Sequence, residues 1–504
     1  MDIFSGLLSG FQSVLQPANF LYCFIGVFVG TLVGVLPGIG PIGAMSILFP
    51  ATFGLPPAAS IIMLAGIYYG AMYGGSTTSI LVNIPGEAAS VVTCLDGYQM
   101  ARQGRAGPAL GISAMGSFIG GTFSIVALMF LVYPLAEYAV KFGPAEYFAL
   151  ICLSMTVLTY LARGSFIKAV LMALLGLMLG AVGMDPLVGK PRFSFGSASL
   201  LDGVGLVPVA MGLFGISEVL MNIETEKIRS IFKTKVKNLF PNLQDWKRSI
   251  GPIGRGSILG FLVGILPGGG AVMSTFLSYT IEKRLSKNPS AFGQGAIEGV
   301  AGPETANNSA SGGAFVPLLA LGIPSNPIMG ILLGALMIHG VNSGPLLLKQ
   351  HPEIFWGVIA SMYIGNVMLL LLNLPLIGIW VKVLAIPSKI LMPLILLCCL
   401  IGSYATNNNK IDVIIMVIFG IIGYILRKHE YELAPLILAL VLGPLLETNF
   451  RNALIIGDGR LTIFLEKPIS AVLLSISALL FLSTGFSKYR KAKTRMVEEA
   501  GGED

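Results

Sequence analysis

Charge is what this sequence has least of. Asp, Glu, Lys and Arg make up only 11% of its 504 residues, against about a quarter in soluble domains. No charged side chain falls between Asp2 and Glu87. A chain that is 54% hydrophobic, with uncharged apolar runs longer than the ~20 residues a helix needs to cross a bilayer, reads as a polytopic integral membrane protein. Histidine is scarce too, at 339, 351 and 429, and the five cysteines are scattered at 23, 94, 152, 398 and 399. None has metal-ligand or redox spacing, and no Ser-His or Asp pair stands out as nucleophile and base, so neither a metal centre nor an enzyme is expected. Gly38, Gly40 and Gly43 do have the G-x-G-x-x-G spacing of a dinucleotide turn. The run before them, FLYCFIGVFVGTLVGVL, is a membrane-helix pattern rather than a strand, and the next acid, Glu87, is too far on to bind a ribose. No Gly-Lys-Ser or Gly-Lys-Thr follows either, so no nucleotide, cofactor or nucleic acid is expected.

What is present is a repeat. GTLVGVLPGIG at 30–40 recurs as GFLVGILPGGG at 260–270, an offset of 230. Gly74-Gly75 and Ile84-Pro85 recur as Gly312-Gly313 and Ile323-Pro324, and Gly107-Pro108 as Gly344-Pro345, so the offset widens to 237–239 across an insertion near EKRLSKNPSAFG. The chain divides accordingly into a first membrane repeat with scaffold helices (1–222), a basic amphipathic linker (223–255), a second repeat with scaffold helices (256–486) and a tail (487–504). From Glu224 to Arg255 there are eight Lys and Arg against three acids, with Ile228, Ile231, Phe232, Val236, Leu239 and Phe240 at helical spacing. The tail SKYRKAKTR adds five basic residues. Lys- and Arg-rich segments stay on the cytoplasmic side, which places linker and C-terminus inside. The N-terminal segment, with no Lys or Arg before Arg102, is expected outside, as a retained first helix rather than a signal peptide.

The helix ending at Pro37 then runs inward and the one ending at Pro267 outward. The expected fold is all-α, with about ten to twelve transmembrane segments in two inverted repeats whose broken or re-entrant helices meet near the bilayer midplane, the architecture of secondary transporters. Proline removes a donor and glycine accepts left-handed backbone, so LPG breaks a helix. Broken backbone at membrane depth must be buried in protein or line an aqueous cavity. Gly26, Gly30 and Gly34, four residues apart, read instead as a helix-packing stripe.

The candidate substrate or ion site takes Pro37, Gly38, Gly40, Ser76, Thr77, Thr78, Asn83 and Pro85 from the first half. From the second it takes Pro267, Gly268, Gly269, Gly270, Glu304, Thr305, Asn307, Asn308, Ser309, Ser311, Pro324, Ser325 and Asn326. Hydroxyls, amides and freed carbonyls suit a hard cation such as sodium, or the oxygens of a carboxylate. Glu304 is a functional candidate because an intramembrane acid is costly, and sodium is expected near Glu304, Asn307 and Asn308. Glu87 opens a polar stretch leading to Asp96 and Arg102 and is ambiguous. An anion channel lined by the same breaks is the alternative reading, and an intramembrane enzyme a weaker one.

The LPGIG and LPGGG pair, YYGAMYGGSTTSILVNIPGE, and GPETANNSASGGAFVPLLALGIPSNP resemble the large, TctA-type membrane subunit of the tripartite tricarboxylate transporters, over nearly the whole chain. The resemblance implies a multi-pass permease of the bacterial inner membrane. It further implies a small TctB-type membrane subunit and a periplasmic TctC-type solute-binding protein as partners, and import of citrate or related carboxylates on a sodium or proton gradient. The motifs hold no Lys or Arg, so cargo charge is expected to be met by backbone amides of the 38–40 and 268–270 turns, half-helix N-termini and the bound cation. A bulky residue at Gly269 is expected to abolish uptake while leaving insertion intact.

Overall fold

The computed structural model describes residues 3–36, 39–161, 165–224, 239–268, 270–384 and 388–483. Pro37, Gly38, Gly269, the linker positions Ile228, Ile231, Phe232 and Val236, and the basic tail lie outside them. Proline at the first helical position opens several helices, where its missing N–H costs nothing. The first half contains α1 (Ile3–Val14), α2 (Pro17–Val35), α3 (Gly40–Leu48), α4 (Pro57–Val82), α5 (Val91–Arg102), α6 (Ala106–Ala139), α7 (Pro144–Leu161) and α8 (Phe166–Gly180). A minimal hairpin follows, β1 (Gly183–Met184) with β2 (Pro191–Arg192). Next, α9 (Leu206–Ala210) and α10 (Ser217–Glu224) join through a π-helical turn at Met211–Ile216. The second half contains α11 (Leu243–Ile265), α12 (Gly270–Leu285), α13 (Glu298–Gly313), α14 (Phe315–Leu321), α15 (Pro327–Ile338), α16 (Leu347–Gln350), α17 (Pro352–Asn373), α18 (Ile377–Val383), α19 (Ser388–Asn407), α20 (Lys410–Lys428), α21 (Ala434–Ile456) and α22 (Ile463–Glu466).

The protein is an all-α polytopic membrane protein. Among the described residues six helices are long and apolar enough to span a bilayer, and seven shorter apolar ones accompany them. Beside the full-length spans, the LPG and Ile-Pro corners cut apolar sequence into pieces such as α3 and α15, of 9 and 12 residues. Helix α11 begins within the stretch read from sequence as linker. Asn242 accepts from Asp245 N at 2.8 Å while Asp245 accepts from Asn242 N at 3.3 Å, a reciprocal cap that starts α11 at Leu243.

Two compact units emerge: residues 1–140 with 205–428, and residues 141–204 with 429–504. In the second, α7 and α8 pack on α21, with Gly176 against the Leu436 carbonyl. Its hairpin is tied down by Arg192, bidentate to Glu447 at 2.7 and 3.0 Å, and by Arg451, which donates to Asp185 at 2.7 Å. The Arg451 hydrogen bond, helped by the amides of Val188 and Leu187, holds the Asp185 carboxyl at about 2. A depressed carboxylate contributes stability above its unfolded value, lost as pH falls through the folded one. The 186–190 loop should therefore resist pepsin down to about pH 3 and become cleavable near pH 2. Arg451→Ala should move that onset toward the ordinary carboxylate range, about pH 4, and an unchanged onset would remove the tether.

The first unit carries both repeats. A Cβ on Gly26, Gly30 or Gly34 would lie 2.3, 2.5 or 2.3 Å from the carbonyl oxygen of Met63, Ile67 or Ala71, so α2 and α4 touch backbone to backbone. The same seam recurs between α11 and α13. There, a Cβ on Gly256, Gly260 or Gly264 would lie 2.5, 2.4 or 2.3 Å from the oxygen of Gly302, Ala306 or Ala310. The glycines are 230 residues apart and their carbonyl partners 239 apart, in the register of the sequence repeat. Three-dimensional equivalence fixes the later offset at 239: Gly74, packed on Thr31 and Gly34, corresponds to Gly313, packed on Phe261 and Gly264, one residue beyond the Gly312 that the Gly-Gly match suggests. Asn83 and Gly322 also fall 239 apart, and both end their helices in left-handed conformation, φ 59° and 73°.

Candidate functional site

Each LPG segment breaks its helix. Leu36 and Leu266 leave α2 and α11 in extended conformation, and helix restarts at Gly40 and Gly270, where φ is 63° and 53° and no atom lies within 4 Å of where a Cβ would point. Left-handed backbone, not crowding, demands glycine there. In the second repeat, Gly268 N donates to Ser325 O at 2.8 Å, which joins the LPG corner to the Ile-Pro corner after α14. Arg255 on α11 pairs with Glu282 on α12 at 2.5 Å, so these helices double back on each other.

Across the repeats the helices exchange partners. Segment α3 packs on α15, while α12 packs on the turn before α5; α6 packs on α13, while α17 packs on α4. The pairings along α4 and α13 run in opposite senses: Ser76 donates to Glu304, whereas the earlier Tyr68 meets the later Ser311. Along α5 and the turn before it, Glu87, Thr93 and Asp96 meet Asn307, Glu304 and the Gly299 region in turn.

At the crossing lies a buried polar cluster. The Glu304 carboxylate, from the second repeat, accepts from Ser76 on α4 and Thr93 on α5, both from the first, with Ser113 of α6 beside it. Glu87 caps the turn leading into α5 by accepting from Ala89 N, and its other oxygen accepts from Asn307 Nδ2 at 3.2 Å. The equivalent cap of the second repeat is Asn326, which accepts from Met329 N at 2.9 Å at the start of α15. Its neighbour is Tyr68, equivalent to Asn307 at the 239-residue offset, whose hydroxyl lies beside Asn326 and Ser311. Each corner is thus touched by the middle of the other repeat's long helix. Asn308 Nδ2 donates to Ser117 at 2.7 Å and, with Ser311, Tyr69 and Asn366, lines a cavity of about 20 Å³, room for about one water.

Of the residues singled out in sequence, Ser76, Glu304, Asn307, Asn308, Ser311 and Asn326 enter this cluster, and Gly40, Pro267, Gly268, Gly270, Pro324 and Ser325 form the corners beside it. Others serve elsewhere. Thr78 donates to Val35 O at 2.6 Å and pins the end of α2, Ser309 donates to Ser257 O at 2.6 Å, and Thr305 turns onto Ala301 O at 2.7 Å beside Gly116 and Gly120. Asn83 is exposed and acts through its backbone as the helix end; Pro85 follows it, and Thr77 is buried on α4. Among the described residues no group of three or more His, Cys, Asp or Glu is arranged to hold a metal. Tyr68, Thr93, Ser113 and Ser117 escaped sequence reasoning, and Glu87 was left ambiguous. Placing Glu87 over Asn326 and Tyr68 over Asn307 by the repeat register is the signal that finds two of them.

Below the cluster, Asp96 is fully buried and accepts from the amides of Gly293, Gly295 and Ala296, each at 2.8 Å, and from the Tyr279 hydroxyl at 2.9 Å. Arg105 with Asp245 and Arg248 with Glu298 lie toward the same end.

Comparison with known proteins adds the following. The family model described as "Tripartite tricarboxylate transporter TctA family" matches residues 20–438. The chain is 50% identical over 476 residues, 94% of its length and 95% of the relative's, to an uncharacterized 52.8 kDa protein in the TAR-I ttuC' 3' region of Agrobacterium vitis. It is 53% identical over 217 residues to an uncharacterized protein in the TAR-II ttuC' 3' region of the same organism, covering 43% of this chain and 90% of that one. No solved structure matches it.

Proposed function

We propose, for a chain that belongs to the tripartite tricarboxylate transporter TctA family, that it is the permease through which a carboxylate crosses the bacterial inner membrane on a cation gradient. A small TctB-type membrane subunit and a periplasmic TctC-type binding protein complete the system, and citrate or a related acid is the cargo. The observation that carries this reading is the reciprocal crossing: Glu87 meets Asn307, and Asn326 meets Tyr68. Opposed helix directions in α4 and α13 support inverted repeats, and two capped corners at one polar cluster support a shared site at the membrane midplane. With the basic linker inside, the N-terminus lies in the periplasm and the C-terminus in the cytoplasm. The role is transport, not catalysis.

Importing a dianion against about 100 mV, inside negative, costs roughly 4.6 kcal/mol, since each charge costs about 2.3. That is about a thousandfold or more against uptake, so cations must travel with the cargo. The open backbone at Gly40 and Gly270, the N-terminus of α15 and the Asn326 and Tyr68 donors are suited to carboxylate oxygens. Proteoliposomes containing this chain and its small subunit, given labelled di- and tricarboxylates, should show saturable uptake that needs both the binding protein and an inward cation gradient. Flux that neither saturates nor responds to the gradient would make it a channel.

A further inference from the structure

Resting on that transport reading, we propose that a single sodium ion binds between the Glu87 carboxylate and the side-chain oxygen of Asn307.

Asn307 is completely buried and its Nδ2 donates to Glu87, yet its Oδ1 has no hydrogen-bond partner. A buried acceptor left unpaired is costly, and a bound ion or water is one way such an atom is satisfied. Glu87 is buried too, and among the described residues no Lys, Arg or His pairs with it. Its carboxylate caps the turn before α5 by accepting from Ala89 N, and a cation bound beside it would supply the positive charge that no basic side chain does. The two ends of an amide differ little in shape. Turning the Asn307 amide over brings Oδ1 to Glu87 Oε1, two facing oxygens that a cation bridges.

Glu304 offers no such opening. Ser76 and Thr93 direct hydroxyls at its two carboxylate oxygens, and those hydrogens would stand between it and an ion. One carboxylate and one neutral oxygen balance a single positive charge, which selects a monovalent ion. The repeat register limits the number as well. The equivalent positions in the other corner, Asn326 and Tyr68, are neutral, so this ion has no twin: the first corner holds the cation and the second is left for the anion.

Direct binding tests this without transport. A ligand that binds only the folded state raises Tm saturably. Purified full-length protein in detergent, with choline replaced by sodium at constant ionic strength and pH, should be stabilised by sodium and not by potassium. Glu87→Gln and Asn307→Ala should raise the sodium midpoint by about tenfold or more, because the first removes the balancing charge and the second a ligand oxygen. Asn307→Asp adds a second carboxylate facing Glu87, and should be less stable in choline and more strongly sodium-dependent than wild type; it keeps the claim testable if Glu87→Gln does not fold. A wild-type response equal in sodium and potassium, or one to pH alone, overturns the site, as do unchanged midpoints in the Glu87 and Asn307 variants. Sodium binding without sodium-driven uptake would overturn the transport reading and leave the site standing. Sodium-driven uptake in which Glu87→Gln keeps the wild-type sodium dependence would do the reverse.

Discussion

Glu304→Gln should insert and fold yet lose carboxylate uptake by about a hundredfold, while Glu304→Ala should yield little folded protein. The carboxylate gathers hydroxyl donors from α4 and α5, and it comes from a helix of the other repeat. It is therefore the knot through which the two repeats grip each other. Removing it leaves two buried hydroxyls without their acceptor, at about 1–3 kcal/mol each before relaxation, and a hole beside them. A glutamine fills the hole and the hydroxyls can rotate to accept from its amide, so the fold survives. What it loses is the charge-assisted grip, roughly twice as strong as a neutral one, that must form and release as the site opens to each side. Initial uptake rates and thermal midpoints of both variants, set beside wild type, decide the matter. Uptake near wild type in Glu304→Gln would reduce the residue to packing.

Gly30→Leu and Gly260→Leu should each abolish the folded protein, and by similar margins. A Cβ at either position would sit 2.5 or 2.4 Å from a backbone carbonyl oxygen, of Ile67 or Ala306, which has no side-chain freedom with which to yield. Helix association in lipid relies on close backbone approach, and forcing the seam apart costs packing along its whole length. Even Gly→Ala should cost about 3 kcal/mol, the upper end for overpacking. Size-exclusion profiles and thermal midpoints of the two alanine variants check the symmetry. If Gly30→Ala is tolerated and Gly260→Ala is not, the two seams are not equivalent.

These seams were legible in the sequence because their cause is local: a missing side chain every fourth residue leaves a helix face with nothing to keep a neighbour away. The LPG corners were legible for the same reason, since proline and glycine write their backbone preference into two or three positions. Glu87 could not be resolved that way. Whether a glutamate after Ile-Pro-Gly sits in water or caps a buried turn depends on which helix of the other repeat passes over it, a fact set 220 residues away at Asn307. Thr305 and Ser309 bond nearby carbonyls, and in sequence such a hydroxyl looks the same as one aimed at a ligand. Asn83 ends α4 through its backbone, where Gly322 ends α14.

The measurement closest to the central claim is the accessibility of one position in the crossed corners. In a chain freed of its five native cysteines, Asn326→Cys would be labelled with a membrane-impermeant thiol reagent, in right-side-out and in inside-out vesicles, with and without sodium and carboxylate. A site reached alternately from both sides predicts labelling in both orientations, with carboxylate slowing both. Labelling from one side alone, indifferent to carboxylate, would contradict it.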